Sequence, residues 1–303
     1  MGHDHHHHGH DHEAADFGRA FAIGIGLNAV FVVVEAGCGF YADSLALLTD
    51  AGHNLGDVLG LVVAWGASRL SQWQPTPRFT FGFRKSSVLA ALLNALFLLV
   101  SIGAISWEAV GRLREPAQVQ SATMIAVAAV GIVINTATAL LFMRGRKGDL
   151  NIRGAFLHML ADAAVSAGVV VAGLLIAWTG AMVIDPLVSL AIAGVILAGT
   201  WSLFRESVSL ALDAVPPAVD AAAVEAYLKG LPEVREVHHL HIWGLSTTDV
   251  AMTAHVVLAD PSLNNGLLAR IHDELHERFG IEHATIQLES HQGDLCLVKQ
   301  CRL

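Results

Sequence analysis

Charge is what this sequence has least of. Only 15% of its 303 residues are Asp, Glu, Lys or Arg, where soluble domains carry about 25%. Hydrophobic residues make up 54%, and mean hydropathy is +0.54. So little charge excludes a chain that is solvated throughout and points to a bilayer. The net charge of −9 comes without a basic stripe, which argues against nucleic acid as a partner. Three cysteines are too few for a disulfide framework. Cys38 sits in an apolar block, while Cys296 and Cys301 lie in the C-terminal tail and read as reduced thiols or an accessory metal-binding pair. The first residues do not read as a secretory signal either, since no basic region precedes a short apolar core and cleavage site. In its place stands a run from Met1 to His12 in which His3, His5, His6, His7, His8, His10 and His12 are interleaved with Asp and Gly. That interleaving reads as a native metal-collecting tail more readily than as a purification tag.

Long apolar runs are what the chain does have. Six of them, near 17–40, 44–68, 86–111, 121–143, 152–178 and 183–204, match the roughly 20 helical residues that cross a hydrocarbon core. Continuous runs of this length favour helices over barrel strands. With the N-terminus in the cytoplasm, the cytoplasmic flanks hold ten basic residues: Arg19, Arg69, Arg78, Arg84, Lys85, Arg144, Arg146, Lys147, Arg153 and Arg205. The other side holds only Arg112 and Arg114. This bias predicts that both termini are cytoplasmic, as an even number of spans requires. Asp185-Pro186 predicts the start of the sixth helix, with Asp as cap and Pro at its first position.

Beyond Arg205 the pattern changes. Pro216-Pro217 breaks the chain, 218–229 and 264–279 read as helices, and 234–245, 250–258 and 284–288 read as strands. The order α-β-β-α-β predicts a small cytoplasmic α+β domain with its helices on one sheet face. The expected organisation is a tail over 1–16, a six-helix all-α transmembrane domain over 17–206, a metal-binding and dimerisation domain over 207–291 and a Cys-containing tail over 292–303.

Within the second apolar run, His53 and Asp57 lie four residues apart, and His158 and Asp162 repeat that spacing in the fifth. Residues four apart share a helix face, one turn displaced. Two imidazoles and two carboxylates from facing helices make a tetrahedral N2O2 site, the geometry zinc favours. An Asp at mid-membrane costs about 2.5–3.5 kcal/mol on insertion scales, so two such boxes in register on apolar helices are poorly explained as packing contacts. Asp50 falls on the same face as His53 and is an accessory candidate: proton carrier, entry ligand or helix-positioning group. Glu35 is a further intramembrane carboxylate, and Asn28 and Asn135 read as interhelical bonding groups.

A second group lies in the small domain. His238, His239 and His241 precede Ile242-Trp243, His255 follows, and His283 and Glu289 flank the last strand. Strict alternation predicts His239 and His241 on one face and His238 on the other.

These residues carry a resemblance. The chain resembles the cation diffusion facilitator family, in its zinc-transporting, cobalt–zinc–cadmium-resistance-like branch. The strings that carry it are Ala42-Asp43-Ser44-Leu45-Ala46-Leu47-Leu48-Thr49-Asp50-Ala51-Gly52-His53 running into Asp57, Pro77-Arg78-Phe79-Thr80-Phe81-Gly82-Phe83-Arg84, His158 to Asp162, Asp185-Pro186, His238-His239-Leu240-His241-Ile242-Trp243 and Thr285-Ile286-Gln287-Leu288-Glu289. The resemblance implies a homodimer with six membrane helices per protomer and a metallochaperone-like (ferredoxin-like) cytoplasmic domain. It also implies export of cytosolic Zn2+ in exchange for protons by alternating access. His53, Asp57, His158 and Asp162 match the family's transport-site positions, and His at 53 looks like the zinc-preferring variant. His238, His255, His283 and Glu289 sit near positions that bind regulatory metal.

Chemistry supports proton exchange independently, because metal and protons compete for the same ligands and His titrates near neutrality. Co2+ and Cd2+ can use a similar donor set. A bacterial inner membrane is the expected location. An intramembrane hydrolase would need an open zinc position and a base, as in His-Glu-x-x-His, and no such motif occurs. A metal sensor with the spans as a passive anchor would not need ligand boxes buried in two of them. The sequence therefore predicts a transporter and not an enzyme.

Overall fold

The structure, a computed structural model, describes residues 11–71, 73–143, 150–259 and 265–290. The His run over 1–10, Arg144, Arg146, Lys147, Cys296 and Cys301 lie outside the described residues. Six long helices come first: α1 (Asp11–Ala42), α2 (Leu45–Ser71), α3 (Ser86–Arg114), α4 (Ser121–Phe142), α5 (Leu150–Thr179) and α6 (Ile184–Ala211). They coincide with the six apolar runs. Helix α1 starts inside the expected N-terminal tail, because backbone bonding propagates past the last apolar turn. Among the described residues, four stretches are long and apolar enough to cross a membrane: Ser86–Arg114, Ser121–Leu141, Phe156–Thr179 and Ile184–Ala211. A shorter apolar stretch covers Gly26–Ala42. Large apolar side chains such as Val33, Val100, Trp178 and Val195 point outward, the arrangement a lipid solvent rewards. This is a multi-pass helical membrane protein.

The described residues fall into two compact units, one within Met1–Val62 and Asn94–Trp201, the other within Val63–Leu93 and Ser202–Leu303. In the first, Leu47, Met124, Val169, Ala172 and Ile176 form a buried core. Small residues let the helices approach, as membrane packing requires. A Cβ at Gly131 in α4 would lie 2.9 Å from Phe31 Cζ in α1 and 3.0 Å from Ser166 Oγ in α5.

Asp185 is fully buried, but it does not cap its own helix. Helix α6 already begins at Ile184, and the carboxylate instead accepts from Ser44 Oγ at 2.6 Å, Leu45 N–H at 2.8 Å and Ala46 N–H at 3.2 Å. It satisfies the orphan donors at the start of α2. The expected capping role is thus kept but transferred to a helix distant in sequence. The same end of α2 is pinned again where Thr49 Oγ1 meets Ser189 Oγ at 2.6 Å.

The second unit carries α7 (Ala221–Lys229), β1 (Val234–Gly244), β2 (Val250–Leu258), α8 (Asn265–Phe279) and β3 (His283–Ser290), the expected α-β-β-α-β order. Asp220 caps α7 by accepting from Ala222 and Ala223 N–H. The sheet order is β1-β2-β3, antiparallel between β1 and β2 and parallel between β2 and β3. Val224 and Leu228 of α7, Ile271 and Leu275 of α8, and Val237, Ile242, Met252, Ala254 and Val256 of the strands share one core. Both helices therefore cover one face. His255, alternating with Ala254 and Val256, is left on the open face.

Candidate metal centres

Helix spacing places His53 and Asp57 on one face of α2, and His158 and Asp162 on one face of α5. The tertiary structure turns those faces toward each other. His53 Nε2 lies 3.6 Å from Asp57 Oδ2 and 3.7 Å from Asp162 Oδ1, while His158 Nε2 lies 3.2 Å from Asp57 Oδ2 and 3.6 Å from Asp162 Oδ2. Nitrogen and oxygen donors alternate around a ring. The edge of a tetrahedron with zinc–ligand distances of about 2.0–2.1 Å is about 3.3 Å, close to those separations. Asp57 Oδ2 stands within reach of both imidazoles, the position of a shared ligand atom. Ligand atoms of Asp57, His158 and Asp162 all lie within 4.8 Å of one another. His53 closes the ring from farther out, with its ring centroid 6.0 Å from that of His158. Burial is uneven: Asp162 is 3% exposed, whereas His158 is 41% exposed.

Further polar groups adjoin the ring on α1, α2 and α5. Ser166 Oγ donates to Asp50 Oδ2 at 3.0 Å, and Asn54 Nδ2 donates to Glu35 Oε2 at 3.2 Å. Asp50 and Glu35 are both fully buried. Asp50 thus stands beside the four-residue ring and is held by α5. Asn28 Nδ2 reaches Met159 Sδ at 3.4 Å, bonding α1 to α5 as expected. Asn135 differs from the expectation, being buried with neither side-chain polar atom bonded among the described residues.

The other cluster is built on the sheet. His238 pairs with His255 across β1 and β2, and Val257 pairs with Glu289 across β2 and β3. Glu289 bridges both rings, with Oε2 3.1 Å from His238 Nε2 and Oε1 2.7 Å from His255 Nδ1. Partial burial favours the protonated carboxyl, but the bonds to His255 and His238 outweigh it and hold its pKa below the usual range. The structure does not bring His283 into this group. Its Nε2 lies 2.8 Å from Arg84 Nη1. It also pairs with Ala251 at the opposite end of β3 from Glu289, six residues or roughly 20 Å along the strand.

Two family models match this chain. The family model described as "Cation efflux transmembrane domain" matches residues 21–210, and "Cation efflux protein, cytoplasmic domain" matches residues 216–291. The chain belongs to the cation efflux family. It is a membrane transporter of cations and not an enzyme. Among relatives of this cation efflux protein, "Zinc transporter ZitB" of Escherichia coli is 38% identical over 95% of this chain and 93% of its own length. The "Cadmium, cobalt and zinc/H(+)-K(+) antiporter" of Bacillus subtilis is 32% identical over 90% of each chain. A solved structure titled "Metal-bound C-terminal domain of the CzcD transporter from Cuprividus metallidurans" is 38% identical, covering 23% of this chain and 99% of that one with a TM-score of 0.22.

Two features of the cation efflux protein escape a reading by spacing alone. One is the support of Asp50 by Ser166, a contact between helices that no local pattern encodes. The other is His239. Its φ of 50° breaks the alternation, so His238, His239 and His241 do not divide between faces as expected. The signal was present in the apolar residues: Val237, Leu240 and Ile242 all pack on the core, a spacing of three and then two that strict alternation cannot produce.

Proposed function

We propose that this cation efflux protein exports zinc from the cytoplasm in exchange for protons, by alternating access around His53, Asp57, His158 and Asp162. The observation that carries the reading is the alternating ring of imidazole nitrogens and carboxylate oxygens, with edges of 3.2–3.7 Å. Four protein donors fill a tetrahedral shell and leave no position for a hydrolytic water. They also set the coupling. Zinc binds only to neutral imidazole and ionised carboxylate, so its arrival from the cytoplasm displaces protons, and protons from the other side expel it after the helices reorient. The names of the relatives, a zinc transporter and a cadmium, cobalt and zinc antiporter, support this cargo and exchange. Co2+ and Cd2+ fit the same donors and would compete.

The arrangement we infer is a homodimer in a bacterial inner membrane, each protomer crossing six times on α1–α6 with both termini cytoplasmic. The ten-to-two distribution of basic residues supports that orientation. The small domain then lies in the cytoplasm, where His238, His255 and Glu289, with ligand atoms within 4.8 Å of one another, bind a regulatory ion. A carboxylate held between two imidazoles suits a divalent cation of the zinc class.

Reconstituted vesicles test the transport site. Zinc added outside inverted vesicles should drive a proton flux that Asp57→Ala and Asp162→Ala each abolish. Flux unchanged in either variant would overturn the assignment, and a competition series with Co2+, Cd2+ and Mn2+ would define the selectivity.

A further inference from the structure

Between His238 and His241 the pairing of β1 with β2 slips. His238 faces His255 and His241 faces Thr253, so β1 advances one residue more than β2, which makes a bulge. Val237 and Ile242 are buried on the helix-covered face and Leu240 packs against the same core. The residue that the bulge adds is therefore His239. Its φ of 50° lies in the left-handed region that side chains with a Cβ seldom adopt. Such conformations persist where the surroundings hold them, and they cluster at ligand sites.

The consequence is a third ring on the open face. Ring centroids are separated by 5.4 Å for His238–His239, 5.2 Å for His238–His255 and 5.2 Å for His239–His255. Three imidazoles on one tetrahedral zinc, with nitrogens at about 2.0–2.1 Å, have ring centres about 5.2 Å apart. The near-equilateral triangle matches that spacing, and Glu289, bonded to two of its corners, supplies the oxygen donor.

We propose that His239 is the third imidazole of a closed N3O site for a zinc-class cation, completed by His238, His255 and Glu289. The proposal rests on reading the cytoplasmic cluster as a metal site. As it stands, His239 is outside the group whose ligand atoms lie within 4.8 Å. Rotation about its Cβ–Cγ bond leaves the ring centre nearly in place and turns a nitrogen toward the ion. Without His239 the site has three protein ligands and an open position, suited to rapid exchange. With it the shell is full, suited to retaining an ion as a regulator. Strand alternation alone would have turned this side chain toward the core, so the bulge is what makes the site four-coordinate.

The test uses the full chain with Asp57→Ala, Asp162→Ala, Cys296→Ser, Cys301→Ser and the seven histidines from His3 to His12 replaced by Asn, which silences the other candidate clusters. Loaded with one equivalent of zinc, this parent should show three imidazoles and one oxygen donor by X-ray absorption. His239→Asn, which tolerates the left-handed backbone, should lower the count to two. It should also weaken affinity at least ~10-fold, since even changes outside the ligand shell cost about 10–100-fold. His239→Gly relieves the backbone and should lose the same ring and the same affinity. A parent count of two, or variants that keep the parent's count and affinity, would overturn the role of His239 while leaving the site. A parent that binds no zinc would overturn the cytoplasmic site itself.

Discussion

The two clusters use nearly the same side chains on opposite kinds of scaffold. In the membrane unit, the i,i+4 geometry of α2 and α5 places each His–Asp pair before any tertiary contact forms. In the small domain, His238, His255 and Glu289 come from three strands, and no two of them are neighbours without the sheet. One site is thus written locally and assembled by a single helix–helix encounter. The other depends on register, and a slip of one residue would turn its ligands to the wrong face. Exposure differs as well. Asp162 is 3% exposed, with a lipid-facing fold around it, while His238 and His255 are 24% and 33% exposed. Asp162 of the first cluster is shielded from water, whereas the side chains of the second can remain solvated.

The comparison can be broken most severely at Asp162. Asp162→Asn should lower zinc-driven proton flux at least ~100-fold, the scale of breaking a buried charged pairing, yet leave zinc affinity of the cytoplasmic cluster unchanged in equilibrium binding. A parallel loss at both sites would show that they are not separable.

The reverse experiment is Met252→Ala. Met252 is fully buried beneath the sheet, and truncation should cost about 2–5 kcal/mol, measured as an earlier unfolding transition of the small domain. Cytoplasmic zinc binding should fall with it, while flux below that transition persists. A smaller effect is expected at Asp185→Ala. Removing the carboxylate leaves the buried Leu45 and Ala46 N–H groups without their acceptor, at about 1–3 kcal/mol. Thermal unfolding should detect it, and Asp185→Asn, which keeps an acceptor oxygen, should lose less. The least effect on transport is expected from Glu289→Gln. It should weaken cytoplasmic zinc binding at least ~10-fold and reduce flux less than Asp162→Asn does; a flux loss as large would make the small domain part of the transport path.

How much of this was legible beforehand follows the same division. The positions of α1–α6 and the pairing of His53 with Asp57 and His158 with Asp162 follow from run length and spacing. The α-β-β-α-β order and the strand near 250–258 were also readable from alternation. Asp185-Pro186 predicts a cap for its own helix and not for α2, because the partners Ser44, Leu45 and Ala46 are remote in the chain. His283 is a candidate only through the resemblance; the parallel pairing of β3 with β2 sets it beside Ala251 and puts its ring against Arg84, apart from the other three.

By itself the sequence determined a membrane-spanning helical chain, two His-x-x-x-Asp faces and a small α+β domain, because hydrophobic length and helical period are local properties. Only the tertiary structure decided that the two faces meet with donor spacings of 3.2–3.7 Å, that Asp185 holds the start of α2, and that a bulge carries His239 to His238 and His255. Those outcomes depend on register and on helix–helix approach, where an error of one residue or one turn reverses which side chains touch.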